Sequence, residues 1–406
     1  MLESTARKGD GGTFSRVPGD VKSLIAVLSA NSFCYSFLMI YLTAYLPERG
    51  VGSNVIGLII TIQGVALVVA GIPLGILSDR RGRKWILICG AIGLSPLLIV
   101  FALTTNTTIL IAVSFAAGIA ESGFMSTVNA IIADKTPLEG RDAAFSLSFI
   151  FGTMSYGFGS SIPFLFPYFE SSLKVSSLAI HTNILIVFGV VNLIAPFAFW
   201  WILRNYKEER HSTKINWRGK SMRTLYKFSG INSIIGLGAG LIIPLIPLWL
   251  LLKFGIQDTY SGPLLAISSI TMALAGFLSP RIARKYGSVR AIALTESLST
   301  VFMISLAFIG NPVLAATIYI LRAAMMNMAS PLADSYLMRI VSPEERGLAS
   351  SINSVIWRLP NSVTTYIGGI ILASGNYSLP FLLGAGLYIL SITLFYSVFR
   401  NFKPAS

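Results

Sequence analysis

Three ionisable side chains stand inside long apolar segments, where a charge is hard to accommodate. Glu121, Arg322 and Arg358 each lie well within a run of mostly apolar residues. A charged residue at the middle of a membrane span costs about 2.5 to 3.5 kcal/mol, so such residues usually face a cavity and have a function. A buried carboxyl can carry a proton, and two guanidinium groups can hold an anionic substrate.

Structural explanations stand beside these functional ones. Glu121 and Arg322 can form a buried ion pair that braces two parts of the chain without any role in transport. Arg358 precedes Pro360 and can satisfy backbone groups that the proline leaves without partners. The residue types alone do not decide between the two kinds of explanation.

Other polar residues within the apolar runs are weaker candidates, because polar groups also serve helix packing in membranes. The candidates for lining a cavity are Asn31, Tyr35, Gln63, Asn129, Asn232, Asn327 and Trp357. Glu296 and His181 each lie near the start of an apolar run. Glu296 is expected to snorkel or pair locally, and His181 to lie at the membrane interface.

The elements that position these residues follow from composition. Of 406 residues, 54% are hydrophobic and only 12% are charged. The chain is therefore more apolar and less charged than an average soluble domain, which indicates that it is surrounded by lipid. Apolar runs of about 20 residues can cross a hydrocarbon core of about 30 Å as helices, and they are too continuous for barrel strands. The sequence therefore predicts an all-α membrane protein with twelve spans. They are 23–46, 54–77, 85–104, 108–134, 143–166, 178–203, 225–252, 260–280, 289–309, 312–340, 348–373 and 378–399.

The distribution of the 31 Lys and Arg residues predicts the orientation of these spans. With the N-terminus in the cytoplasm, Arg49, Lys174 and Lys253 are the basic residues assigned outside, and Arg322 and Arg358 fall within spans. All the others lie on the cytoplasmic side, which is the positive-inside pattern. The sequence thus predicts a multi-pass protein of the cell membrane with both termini in the cytoplasm. The net charge of +14 is accounted for by this pattern and does not indicate nucleic-acid binding.

The chain divides into two similar halves. A charged stretch after the sixth span predicts a linker, and the halves share motifs at an offset near 205 residues: 77–82 resembles 282–287, and 137–141 resembles 343–346. Internal repeats are typical of secondary transporters. The predicted organisation is a cytoplasmic tail at 1–22, a six-helix bundle at 23–203, a linker at 204–224, a second bundle at 225–400 and a tail at 401–406.

The turn at 75–84 reads G-x-x-x-D-R-x-G-R-K, and with the twelve spans and the repeat it resembles the major facilitator superfamily. The resemblance implies two six-helix bundles in pseudo-symmetric arrangement that rock about a central cavity. It implies that Asp79 closes the cytoplasmic side against the start of the eleventh helix, and that Arg83 pairs with Asp134. The implied gate residues are Gly75, Asp79, Arg80, Gly82, Arg83 and Asp134. The second half has Arg284 where the first has Asp79, so the gate is expected to be asymmetric.

The sequence predicts a secondary active transporter, similar to drug and organic-solute proton antiporters. We expect coupling to protons through Glu121, a small organic substrate that is anionic or drug-like, and export in preference to uptake. A flippase for lipids or lipid-linked sugars and a proton-coupled uptake symporter are the alternatives. No enzyme activity, cofactor or metal is expected, and Cys34 and Cys89 fall within spans, apart from each other. The expected partners are the substrate, protons and the lipid bilayer, with the chain acting as a monomer.

Overall fold

The computed structural model describes residues 17–137, 140–206, 222–341 and 346–401, and some side chains within these ranges are left out. The described residues form helices and turns, with no strand among them. Most of the predicted N-terminal tail, the predicted linker and the C-terminal tail lie outside the described residues. So does part of the repeated motif at 343–346.

Fifteen α-helices account for the described chain, and several join end to end to make one membrane crossing. The helices are α1 Gly19–Ile40, α2 Ser53–Arg81, α3 Arg83–Leu103, α4 Thr107–Lys135, α5 Arg141–Ser160, α6 Phe166–Leu173, α7 Ser177–Asn192, α8 Ala195–Ile202, α9 Met222–Gly240, α10 Ile246–Phe254, α11 Asp258–Tyr286, α12 Ser288–Phe308, α13 Pro312–Ile340, α14 Arg346–Ala373 and α15 Leu379–Phe399. Twelve crossings result, because α5 with α6, α7 with α8, and α9 with α10 each form a single bent span.

The bends have identifiable causes. In the seventh crossing, a short 3₁₀ turn at Ile243–Leu245 separates α9 from α10, and Pro244 and Pro247 lie at this junction. Proline lacks the N–H that continues a helical ladder, so it favours a break there. The bend predicted at these prolines is present. The first crossing continues from α1 through a π-helical turn at Tyr41–Tyr45.

Nine crossings are long and apolar enough, within the described residues, to be recognised as membrane spans by length and composition. The other three are those built on α5, α11 and α14. These helices pack across the boundary between the halves, α2 against α14 and α5 against α11. A helix that faces protein can carry more polar residues than one that faces lipid.

Successive helices of the two halves repeat with a constant offset. Four helices of the first half and their counterparts begin 205 residues apart: Ser53 and Asp258, Arg83 and Ser288, Thr107 and Pro312, Arg141 and Arg346. The first three pairs also match in length, at 29, 21 and 29 residues. The repeat predicted from two short motifs therefore extends through the helical framework.

We call the end of the bundle at which α1 begins and α2 ends the basic end, and the opposite one the distal end. The halves meet closely toward the distal end. The Thr61 hydroxyl donates to the Ser362 carbonyl at 2.6 Å. A Cβ on Gly57 would lie 3.1 Å from the Gly369 Cα and 2.8 Å from the Thr365 carbonyl oxygen, so only glycine allows this approach.

The hydrophobic core has the same asymmetry. One cluster toward the distal end is shared by both halves and includes Phe37 and Phe101 with Trp249 and Phe381. At the basic end each half has a separate cluster, one around Phe199 and the other around the aromatic side chains of α9, α13 and α15. The two halves thus share a core at the distal end and have their own cores at the basic end.

Candidate functional site

Three helices of the first half each bring one polar side chain to a common point. Glu121 of α4 accepts hydrogen bonds at Oε2 from Gln63 Nε2 at 3.1 Å and from the Tyr35 hydroxyl at 3.4 Å. Gln63 Nε2 also donates to the Tyr35 oxygen at 2.8 Å. The three side chains form a ring of hydrogen bonds that links α1, α2 and α4, and we call it the Glu121 ring.

The surroundings of Glu121 act on its charge in opposite ways. The side chain is partly buried in an apolar bundle, and burial makes an ionised carboxylate costly. Two donors directed at one carboxylate oxygen stabilise the ionised form. Gln63 is only 4% exposed, so its amide has little access to water and stays directed at the ring. Burial and hydrogen bonding therefore act in opposite directions on the charge of this carboxyl.

The second half faces the Glu121 ring with a positive charge. Arg358 of α14 acts electrostatically on both Glu121 and Tyr35. Its side chain is exposed, while the neighbouring Trp357 is partly buried. Tyr156 of α5 also faces Glu121. Tyr156 was not expected from the sequence, because a single tyrosine in an apolar run cannot be told from a packing residue.

Arg322 lies inside the second half. It is 4% exposed, its Nη2 donates to the Tyr388 hydroxyl at 2.6 Å, and its guanidinium carbon is 5.6 Å from the centroid of the Tyr388 ring. Its Nε is buried without a hydrogen-bond partner. The bracing ion pair between Glu121 and Arg322 is not formed, so that explanation is wrong: each residue has neutral partners within its own half. A substrate can reach Arg322 only if the helices around it move.

Glu296 does not snorkel, so of the two expected explanations, snorkelling and local pairing, the first is wrong. It lies eight residues after Ser288 in the 21-residue helix α12 and is only 6% exposed. The carboxyl therefore points into the second half and does not reach the membrane interface. The Glu296 carboxyl interacts electrostatically with Tyr388, whose hydroxyl also accepts the hydrogen bond from Arg322.

The weaker candidates are spread over several places. Asn31 lines a cavity of about 20 Å³ beside Tyr35 and Gln63, which is enough for about one water molecule. Asn232 Nδ2 lies 3.4 Å from Asn353 Oδ1. The remaining two are exposed: Asn129, and Asn327, whose Nδ2 donates to the Ala323 carbonyl at 2.9 Å.

The expected contact between Arg83 and Asp134 is present at the basic end. Arg83 Nη1 lies 2.5 Å from Asp134 Oδ2, and the Tyr206 hydroxyl donates to the same oxygen at 2.5 Å. Burial and this hydrogen bond to a carboxylate raise the pKa of Tyr206, so its hydroxyl remains a donor at neutral pH. Lys135 pairs with Asp20 of α1 close by.

The other gate residues surround the turn between α2 and α3. Gly82 has a φ of +116°, which side chains rarely allow, so glycine is needed there. Gly75 has open space where a Cβ would stand, and Arg80 is exposed. The side chain of Asp79 lies outside what the structure describes, so its contact with α14 stays a prediction.

At the distal end, His181 and Asp258 form a buried contact between the halves. His181 Nε2 lies 2.5 Å from Asp258 Oδ2. His181 is 1% exposed, so its side chain packs against protein, while its expected depth at the membrane interface stays a prediction. The sequence gives no signal for this pair, because its members are 77 positions apart and meet only when the halves close at this end.

Twelve membrane crossings in two repeated halves are the architecture of a secondary transporter. The family model for the Major Facilitator Superfamily matches the chain twice, at residues 24–230 and 228–405. The chain therefore belongs to the Major Facilitator Superfamily, a family of transporters rather than enzymes.

Relatives with an established name share about a fifth of the sequence. The multidrug resistance protein MdtG of Salmonella schwarzengrund (strain CVM19633) is 22% identical over 384 residues, covering 91% of this chain and 93% of the relative. MdtG of Dickeya zeae (strain Ech586) is 23% identical over 379 residues, covering 89% and 90%.

Solved structures with the same fold confirm the architecture. A bacterial homologue of the human lysosomal transporter Spinster, in an inward-facing and occupied conformation, gives a TM-score of 0.75 at 16% identity, covering 95% of this chain and 98% of that chain. The nucleoside transporter NupG gives 0.69 at 15% identity, covering 95% and 100%.

Proposed function

We propose that the chain is a proton-coupled transporter that moves a small organic solute by alternating access, with Glu121 as the proton-binding residue. The observation that carries this proposal is the Glu121 ring, which lies within the electrostatic reach of Arg358 on the other half. An ionisable group at the boundary of two moving halves can be exposed to one side of the membrane and then to the other.

The orientation follows from charge. The positive-inside rule supports assigning the basic end, and with it both termini, to the cytoplasm. Among the described residues, the halves share a core toward the distal end and have separate clusters at the basic end, which supports an inward-facing conformation. The similar Spinster homologue was also solved in an inward-facing conformation.

The basic-end turn is assigned to the gate. When the chain turns outward, the basic ends of the two halves approach, and Asp79 meets the start of α14. A carboxylate is favourable at a helix N-terminus because of the helix dipole. The ion pair between Arg83 and Asp134 ties α3 to α4 within the first half, so that the turn moves with its bundle.

Export in exchange for protons is the first form of this function. The ionised carboxylate of Glu121 binds a hydrogen-bond donor or positive group of a drug-like solute, and a proton that neutralises Glu121 releases the solute. The name of the relatives, multidrug resistance protein, supports this direction. Trp357 and Asn232 are the candidates on the second half for further contacts with the solute, and Arg358 limits how much positive charge the solute can carry.

Arg358 favours a second form, uptake of an organic anion together with a proton. While Glu121 is ionised, it acts as a counter-charge to Arg358. An anion that occupies Arg358 removes this counter-charge, and protonation of Glu121 then restores the balance. Proton and anion would bind together in this form, so they would cross the membrane in the same direction.

Solute exchange measured without a pH gradient tests substrate binding and transport separately from proton coupling. In vesicles loaded with unlabelled solute, Glu121→Gln should still exchange labelled solute but should not accumulate it under an imposed pH gradient. Glu170→Gln, the same chemical change in α6, is the matched control and should behave as the wild type does. Accumulation by Glu121→Gln driven by a pH gradient would overturn the assignment of Glu121.

A further inference from the structure

We propose that His181 and Asp258 form a second proton-binding site, which holds a proton only while the two halves are closed at the distal end. His181 belongs to α7 of the first half and Asp258 to α11 of the second. The two side chains are 1% and 6% exposed, and Nε2 lies 2.5 Å from Oδ2. This contact is a direct polar link between the halves, separate from the Glu121 ring.

The neighbours of the imidazole define where its protons lie. Nδ1 is 2.8 Å from the Ser177 carbonyl oxygen, which can only accept, so Nδ1 carries a hydrogen. Nε2 faces Oδ2 of Asp258, and an ionised carboxylate oxygen can only accept, so Nε2 carries a hydrogen as well. The closed pair is therefore an imidazolium and a carboxylate.

Aromatic side chains shield the ring from water. Tyr45 stacks on the imidazole with 3.5 Å between ring centroids and an angle of 5°, and Phe166 meets it edge-on at 4.5 Å. A cation over an aromatic face is stabilised by the ring quadrupole. The second oxygen of Asp258 accepts the Thr259 N–H at 2.9 Å, in the first turn of α11.

Other titratable groups also face the pair. From the turn that follows α1, Glu48 acts electrostatically on both His181 and Asp258. Arg49 donates to the Tyr41 hydroxyl at 2.7 Å, and the Tyr41 ring lies 6.3 Å from the imidazole. The negative charge of Glu48 favours the imidazolium, so this turn helps the closed pair to hold its proton.

Opening of the distal end separates the two side chains, because each moves with its own half. The imidazole then loses the carboxylate that stabilises its second proton and can release this proton to water. The distal-closed state therefore binds one proton more than the distal-open state. Raising the pH should therefore shift the population toward distal-open by up to about tenfold per pH unit, and lowering it should favour the closed state.

This proton differs in its role from the one on Glu121. The pair loses it to the distal side on opening and regains it from the same side on closing, so no proton crosses the membrane through it. The site sets the pH dependence of distal closure and adds nothing to the transport stoichiometry. The two sites can therefore be tested separately.

The protonation state can be observed directly. The chain has two histidines, so the variant His211→Gln leaves His181 as the only one. Nitrogen-15 NMR of labelled histidine in this variant should show both ring nitrogens protonated at pH 7.5. The sample must be mainly distal-closed, as verified by spin labels on Thr107→Cys and Val313→Cys in a chain without Cys34 and Cys89. An unprotonated Nε2 in such a sample would overturn the proposal.

The population shift is measured with the same spin labels from pH 5.5 to 8.5. All proteins in this experiment also carry Glu121→Gln, so that protonation of Glu121 cannot affect the measured populations. We expect the distal-open fraction to rise with pH, and this dependence should disappear in His181→Gln. Ser177→Ala, which keeps the carbonyl acceptor, is the control and should retain it. A pH dependence in His181→Gln equal to that of the background would refute the proposal and leave the role of Glu121 untouched.

Discussion

Asp134 and Arg339 occupy equivalent positions in the two halves, 205 residues apart near the ends of α4 and α13. Each contacts the first residue of the preceding helix: Asp134 pairs with Arg83 at 2.5 Å, and Arg339 Nη2 donates to the Ser288 hydroxyl at 2.6 Å. The contact is thus repeated, while the ion pair occurs in the first half and a hydrogen bond to a neutral group takes its place in the second.

Replacing Asp134 with Asn should lower thermal stability in a salt-dependent way. The change removes the ion pair with Arg83 and leaves an oxygen for the Tyr206 hydroxyl. A pair at this level of exposure contributes about 0.5 to 1 kcal/mol, and salt screens it. The measurement is the unfolding temperature of wild type and variant at low and high salt, where the difference should shrink at high salt.

Ser288→Ala is the matched control at the equivalent contact. It removes a hydrogen bond without removing an ion pair, so its effect should depend less on salt. An equal response of the two variants to salt would show that the charge pair of the first half is not what stabilises the turn.

Tyr206→Phe should destabilise the chain at neutral pH, and less so in strong alkali. The lost hydrogen bond to Asp134 is worth about 1.5 to 3 kcal/mol because its acceptor is charged. The raised pKa of Tyr206 means that the folded state holds the phenol proton more tightly than the unfolded state. Its contribution is therefore complete below about pH 10 and falls as the pH rises further. Unfolding temperatures of both proteins between pH 7 and 11 test this, and a difference that grows with pH would contradict it.

Gly57→Ala should hinder closure at the distal end. The added Cβ would lie 2.8 Å from the Thr365 carbonyl oxygen and 3.1 Å from the Gly369 Cα, so α2 and α14 must separate. We expect transport to slow several-fold, with a larger distal-open population in spin-label distances. Gly152→Ala in α5 has open space around its Cβ and should leave both quantities unchanged. Normal distal closure in Gly57→Ala would mean that the packing there is more adaptable than these contacts indicate.

Tyr35→Phe should slow pH-driven transport without preventing folding. It removes one of the two donors to Glu121 and the acceptor that orients Gln63. A hydrogen bond to a charged group contributes about 1.5 to 3 kcal/mol, which corresponds to a tenfold or greater loss of rate if it acts in the limiting step. Tyr168→Phe, at an exposed tyrosine of α6, is the control. Equal rates in the two variants would remove Tyr35 from the coupling mechanism.

Much of the fold was predictable from local sequence. Apolar runs of membrane length, basic residues on alternate connections and prolines at bends each act locally, and together they predict twelve crossings and the break before α10. The repeat with an offset near 205 residues was visible from two turns, because turns at equivalent positions of the two halves have similar residues.

The site was predictable only in part. Glu121 stood out because a charge within an apolar run is rare, but its partners Tyr35 and Gln63 could not be linked to it without the packing of α1 and α2 on α4. Glu296 was misjudged, since distance from the end of a span does not say which face of the helix is buried. The pair of His181 with Asp258 depends on which ends of the halves meet, and this is a property of a conformation.

Proton movement that depends on substrate tests the central claim most directly. Purified protein is reconstituted in tight liposomes with a pH-sensitive dye inside, and drug-like compounds, organic anions and sugars are added in turn. With Glu121 as the proton carrier, at least one compound should drive proton flux that is lost in Glu121→Gln. Flux opposite to the solute indicates exchange, and flux with it indicates uptake of solute and proton together. Solute transport without proton flux in the wild type, or unchanged flux in Glu121→Gln, would contradict the account.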